Sequence, residues 1–126
     1  MDELGFQSLN NELEKLESFS GIIGSAIVNR NGLLISSRLP RDIDERKFAT
    51  MSAIIYESIE TVVSTLNENQ IVHLTVEFNE YQLIIVEVDE SRIFVSLMDL
   101  DVNFGLILIE IEESIKKLKI EAKKTS

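Results

Sequence analysis

Two neighbouring stretches, YQLIIVEV at 81–88 and RIFVSLM at 92–98, restrict the folds open to this chain more than any other feature. Each is close to continuously apolar, the pattern of a strand buried on both faces. Asp89-Glu90-Ser91 between them is short enough for a hairpin turn, which makes the two strands antiparallel. Doubly buried strands require cover on both faces of their sheet, and the rest of the chain must provide it.

The neighbouring segments supply both partners and cover. QIVHLTVEF (70–78) alternates, with Val72, Leu74, Val76 and Phe78 on one face and Ile71, His73, Thr75 and Glu77 on the other. Asn79-Glu80 joins it to the apolar pair, completing an antiparallel meander. Earlier, IIGSAIV opens a strand at about 23–29 that turns through Asn29-Arg30-Asn31-Gly32 into a second at 33–37. Asn-Gly suits the positive φ values of a tight hairpin turn.

Three helices complete the reading. Leu9, Leu13 and Leu16 mark an amphipathic helix over 8–18, with Ser8 as its N-cap. After Pro40, Asp42 stands three residues before Glu45, a capping box for a helix over 43–67. Phe48, Ile55, Ile59, Val62 and Leu66 recur on one face of it, the expected buried face. Beside them runs a second stripe of Met51, Ile54, Ser58, Thr61 and Thr65, which is either a close-approach face for another helix or a semi-exposed flank. The last helix spans 103–124, with Asn103 as cap and Leu108, Ile111, Ile115, Leu118 and Ala122 at threes and fours. LILIEI (106–111) within it also reads as a strand. The order α-β-β-α-β-β-β-α gives an α/β (α+β) three-layer sandwich in a single domain over 1–126. The middle helix covers one face of the sheet and the terminal helices the other.

Composition excludes several functions. The formal charge of −10, from 22 acids and 12 bases, would repel a nucleic-acid backbone, so no nucleic acid is an expected partner. The basic group Lys116, Lys117, Lys119, Lys123 and Lys124 complements the negative end of the last helix. No apolar run approaches the ~20 residues of a membrane span. Met1-Asp2-Glu3 is acidic where an export signal would be basic, so a cytoplasmic location is expected. Without cysteine there is neither a disulfide nor a cysteine-ligated metal, and with His73 alone and scattered acids no metal or cofactor site is expected. His73 reads as a solvated or interface residue. Gly21 and Gly24 precede a strand and lack the Gly-Lys-Ser/Thr of a P-loop. Ser25, Ser36 and Ser37 have neither a nearby base nor a nucleophile-elbow pattern, so the hairpin is architecture and the chain is not expected to be an enzyme.

GIIGSAIVNRNGLLISSRLP resembles the opening hairpin of the Roadblock/dynein-light-chain family. KFATMSAIIYESIETVVSTL is similar to that family's long helix, and NFGLILIEIEES to the start of its last helix. The resemblance spans about residues 8–120 in the right order. It implies a five-stranded antiparallel sheet in the order 2-1-5-4-3, and a dimer whose third strands pair edge to edge with the long helices side by side. On this chain such an interface falls on Met51, Ile54, Ser58, Thr61 and Thr65 of the helix and Val72, Leu74 and Val76 of the strand. Family members regulate or scaffold small Ras-like GTPases, and bacterial motility relatives accelerate GTP hydrolysis as homodimers. The resemblance therefore implies a non-enzymatic homodimeric regulator or scaffold that binds such a GTPase or, alternatively, a structural subunit paired with a different Roadblock-like chain in a larger assembly, without effect on GTP turnover. Arg41 and Arg46 are either GTPase contacts or solvated residues at the helix start. A small-ligand sensor is the third reading, although the aliphatic core offers no polar cluster to orient a ligand.

Overall fold

A computed structural model describes residues 3–67 and 70–125. The apolar strands β4 (Tyr81–Glu87) and β5 (Arg92–Asp99) lie inside a five-stranded sheet, and their flanks decide the remaining order. On one side β5 pairs with β1 (Ile22–Asn29), which pairs with β2 (Leu34–Arg38); on the other, β4 pairs with β3 (Leu74–Glu77). All pairs are antiparallel and the order is β2-β1-β5-β4-β3, as the family resemblance implies.

Side-chain alternation divides the core into two layers. Ile27, Ile84, Val86, Phe94 and Met98 face the terminal helices, α1 (Glu3–Glu17) and α3 (Phe104–Thr125). Ala26, Val28, Leu83, Ile85, Ile93 and Val95 face the long helix, α2 (Glu45–Ser64). Leu9, Leu13 and Leu16 of α1 are buried as expected, but the helix begins at Glu3, so Ser8 lies within it and does not cap it. Asn103 caps α3, accepting the Leu106 N–H at 3.2 Å. The ambiguous LILIEI is helical: Ile107, Ile111, Ser114, Ile115 and Leu118 are buried at threes and fours, with Leu108 half-buried beside them. The Ala122 side chain lies outside the described residues. Lys117 reaches Glu12 at 4.0 Å and so links α3 to α1, while Lys116 pairs with Glu113.

Three further expectations need correction. The α2 cap is Asp44, whose side chain accepts from Lys47 N–H at 3.1 Å, and Asp42 remains in the preceding loop. The β1–β2 turn is a three-residue loop: Gly32 N–H donates to Asn29 O and Asn29 N–H to Leu33 O, both at 2.8 Å, and only Gly32 takes a positive φ, +91°. A type I turn closed by a left-handed glycine has this form. The third correction is the largest. The face of α2 that packs on the sheet consists of Ala49, Ser52, Ala53 and Tyr56. Ile55, Val62 and Leu66, expected inside, are 38%, 54% and 65% exposed, while Phe48 and Ile59 are half-buried. Small residues bring the helix close to the sheet, so the bulky aliphatics fit only on its other flanks.

Two local features lock the sheet. Gly24 lies against β2 so closely that a Cβ there would stand 2.7 Å from Arg38 O and 3.1 Å from the Leu39 Cα, both fixed main-chain atoms. In the β4–β5 turn, Asp89 accepts from Ser91 N–H at 3.0 Å and from the buried Arg92 guanidinium at 2.7 and 2.9 Å. Burial opposes ionisation of Asp89, but the bonds from Arg92 and Ser91 outweigh it and hold the carboxyl below its ordinary range.

Gly24→Ala is expected to cost about 1–3 kcal/mol through this overpacking, read as a lower urea midpoint at unchanged slope. Because the folded Asp89 carboxyl titrates below its unfolded value of about 4, its ionised form stabilises the fold at neutral pH. That contribution disappears as the pH falls through the folded value. Asp89→Asn should therefore melt lower than the parent at pH 7, with the gap narrowing towards pH 3.

Candidate interaction face on the long helix and edge strand

The outward side of α2 is apolar although its inner side already packs on the sheet. Met51, Ile54, Ile55 and Val62 stand exposed along it, and Leu66 extends the row just past its end. Between them run Ser58, Thr61, Ser64 and Thr65. Each hydroxyl donates to a carbonyl one turn back: Ser58 to Ile54 O at 2.8 Å, Thr61 to Glu57 O at 3.1 Å, Ser64 to Thr61 O and Thr65 to Val62 O at 2.7 Å. These groups keep their hydrogen bonds when water leaves, so covering them costs less than burying unpaired hydroxyls. A stripe of small side chains with internally satisfied polar atoms suits close contact with another helix.

β3 is the edge of the sheet on the β4 side. It is shorter than the expected 70–78, because only 74–77 pair with β4. Leu74 and Val76 oppose Ile85 and Leu83, which turns them to the α2 side. The structure therefore places Met51, Ile54, Ser58, Thr61, Thr65 and Val76 in the open, and Val72 in the open just before the strand. Leu74 is half-buried against the chain's own core. Arg41 lies in the loop before α2 and Arg46 in its first turn; both are exposed, and neither guanidinium has a partner among the described residues. His73 is half-buried, its ring 5.9 Å from that of Phe104, with no partner for Nδ1 among the described residues. Ile55, Val62 and Leu66 belong to the exposed face and were missed by the sequence reading. Their signal was present in Ala49, Ser52, Ala53 and Tyr56, which recur at helical spacing as regularly as the larger residues do.

The charged groups nearby are committed to one another. The Arg30 guanidinium, in the β1–β2 turn, contacts both Glu60 carboxylate oxygens at 2.7 Å and Glu87 at 3.1 Å, and stacks over the Tyr56 ring at 5.1 Å. Burial works against the charge on Arg30, and the bonds to Glu60 and the nearby Glu87 outweigh it. Burial and the Glu87 charge raise the Tyr56 hydroxyl above its usual range, opposed by Arg30. A cavity of about 230 Å³ opens here, floored by Ala53, Tyr56 and Ile93 and rimmed by Arg30, Asn31, Glu57 and Glu60. Its ionic groups form structural bridges between the turn, α2 and β4. The hairpin serines are similarly occupied: Ser25 Oγ donates to Ser96 Oγ at 3.0 Å, Ser96 Oγ to Gly24 O at 3.1 Å, and Ser37 Oγ to Glu45 at 2.9 Å. No described helix is long and apolar enough to cross a membrane.

Comparison with known proteins agrees with this architecture. The protein MJ1340 of Methanocaldococcus jannaschii is 31% identical over 108 residues, covering 86% of this chain and 91% of that protein. The structure superposes on Myxococcus xanthus MglB with a TM-score of 0.92 at 21% identity, covering 100% of this chain and 96% of the other. A second MglB structure, described as having a tetrameric arrangement, superposes at 0.90 with 15% identity, over 100% and 96% of the two chains. The sequence profile of the Roadblock/LC7 domain matches residues 9–97. With that match and the 2-1-5-4-3 sheet, the chain belongs to the Roadblock/LC7 domain family.

Proposed function

We propose that this protein is a cytoplasmic, non-enzymatic regulator or scaffold that forms a homodimer through α2 and β3 and, as that dimer, binds a small Ras-like GTPase and stimulates its GTP hydrolysis. The observation that carries the reading is the outward side of α2, which combines exposed aliphatic side chains with hydroxyls already bonded to their own helix. Such a surface loses little and gains much when it leaves water, since each fully buried aliphatic side chain contributes about 1.5–3 kcal/mol. The free β3 edge turns Leu74 and Val76 to the α2 face of the sheet, and pairing that edge satisfies main-chain groups that would otherwise template aggregation. An interface of about 1,600 Å² would be of standard size for such a dimer. Family membership and the tetrameric arrangement of one MglB support self-association. Arg41 and Arg46, exposed and unpaired at the start of α2, are the cations offered to the GTPase.

Light scattering at micromolar concentration should give about 28.6 kDa, twice the chain mass of 14.3 kDa. Ile54→Arg places a charge in each half of the face and is expected to weaken the dimer about 30-fold or more, without loss of helicity. A parent chain that is monomeric alone would instead favour pairing with a different Roadblock-like chain in a larger assembly. GTP-loaded Ras-like GTPase should be retained on the immobilised dimer more strongly than the GDP-loaded form. Equal retention of the two overturns the GTPase assignment.

A further inference from the structure

The free edge of β3 carries a pattern that discriminates among the ways two copies can join. Phe78 N–H donates to Tyr81 O at 2.9 Å and Tyr81 N–H to Phe78 O at 3.2 Å, and the pairs Val76–Leu83 and Leu74–Ile85 continue this register. Hydrogen-bonded and non-hydrogen-bonded pairs alternate along an antiparallel ladder. Leu74, Val76 and Phe78 therefore direct their main-chain groups to β4, and Thr75 and Glu77 direct theirs to the open edge.

Two identical strands joined antiparallel within one sheet are related by a two-fold axis perpendicular to it. Directly opposed residues then share a face, so odd positions must oppose odd positions, as the open main-chain groups also require. Four registers place the two-fold axis on the strand, at Leu74, Thr75, Val76 or Glu77, and the first opposes Ile71 to Glu77, an apolar side chain to a carboxylate. The last sets Glu77 against its own copy, and like charges directly opposite are destabilising. The Val76 register opposes Val72 to Glu80 and His73 to Asn79, leaving an apolar side chain that is 77% exposed in the single chain against a carboxylate. The Thr75 register opposes Val72 to Phe78, itself 46% exposed, and His73 to Glu77. Both members of that last pair lie on the α1/α3 side, where the His73 ring meets Phe104 and its Nδ1 lacks a partner among the described residues.

Resting on the dimer reading above, we propose that a second copy of this chain joins at β3 in the register centred on Thr75, with His73 of each copy facing Glu77 of the other and Val72 facing Phe78. Pairing draws residues 72 and 73 into the strand, which in the single chain begins at Leu74. The two symmetric His–Glu contacts and the two Val–Phe contacts select the register, while α2 supplies the larger apolar area.

The chain has no cysteine, so single-cysteine variants report the register without background. Directly opposed hydrogen-bonded residues have Cα atoms about 5.5 Å apart, inside the roughly 4.4–6.8 Å range of a disulfide. Residues offset by two positions lie about 7–8 Å apart, outside it. Thr75→Cys should therefore cross-link to its own copy under copper–phenanthroline and Val76→Cys should not, both variants melting like the parent. Cross-linking at Val76→Cys instead overturns the register and leaves the edge-paired dimer standing. No cross-link from either variant in a chain of dimeric mass likewise overturns the Thr75 register, whereas a monomeric mass refutes the functional reading beneath it. His73→Gln and Glu77→Gln should each weaken dimerisation about two- to ten-fold, and the double variant no further than either alone. Independent, additive losses overturn the His–Glu pair.

Discussion

Burial of β4 and β5 on both faces is the constraint from which the rest of the architecture follows. Ile84, Val86, Phe94 and Met98 point one way and Leu83, Ile85, Ile93 and Val95 the other. Neither set can be left in water, because each large aliphatic side chain exposed would forfeit about 1.5–3 kcal/mol. The two faces are covered differently. Leucines and isoleucines of α1 and α3 form a thick layer over one, whereas the other meets Ala49, Ser52, Ala53 and the Tyr56 ring of α2. A thin contact places the α2 backbone close to the sheet and turns its bulky side chains away from it.

That asymmetry gives α2 its character. A helix at the surface of a monomer carries one apolar stripe, but α2 has two: a small-residue stripe against the sheet and an aliphatic one facing out. The hydroxyls between the outer aliphatics bond to their own helix, so this side has the low desolvation cost of an apolar surface and the shallow relief of small side chains. The edge strand stands on the same side of the molecule through Leu74 and Val76. Surface and edge together make the self-association proposed above energetically reasonable for a chain whose net charge of −10 opposes indiscriminate contact.

Charge is organised to hold the platform. Arg30 joins the β1–β2 turn to Glu60 on α2 and Glu87 on β4, and its main-chain N–H donates to Ser91 O at 2.9 Å in the next turn. Arg38 pairs with Glu17, tying β2 to α1. Arg92 closes the β4–β5 turn on Asp89. Of these links only that of Arg30 reaches α2, and it ties the helix to the β1–β2 turn and to β4. Arg41 and Arg46 are left outside this network, exposed and without a partner among the described residues.

Much of the fold was legible from residue patterns. Doubly apolar strands, Asn103 before a helix, and leucines at threes and fours each state a local preference that the structure keeps, and the resemblance carried by the hairpin and helix motifs supplied the sheet order. The phase of α2 was not legible. A helix sandwiched between a sheet and an exposed apolar surface is periodic in two directions at once, and the rule that larger aliphatics lie inside selected the wrong one. The caps at Asp44 and Asp42 differ by two residues for a similar reason, since both acids satisfy the local pattern and only the path of the chain from β2 decides which meets Lys47 N–H. Local sequence thus determined the elements, their turns and the need for two covering layers, because these depend on short-range periodicity and backbone preference. Tertiary structure decided which side of α2 packs inward, how far β3 extends, and which acids claim Arg30, because those depend on distances between segments far apart in the chain.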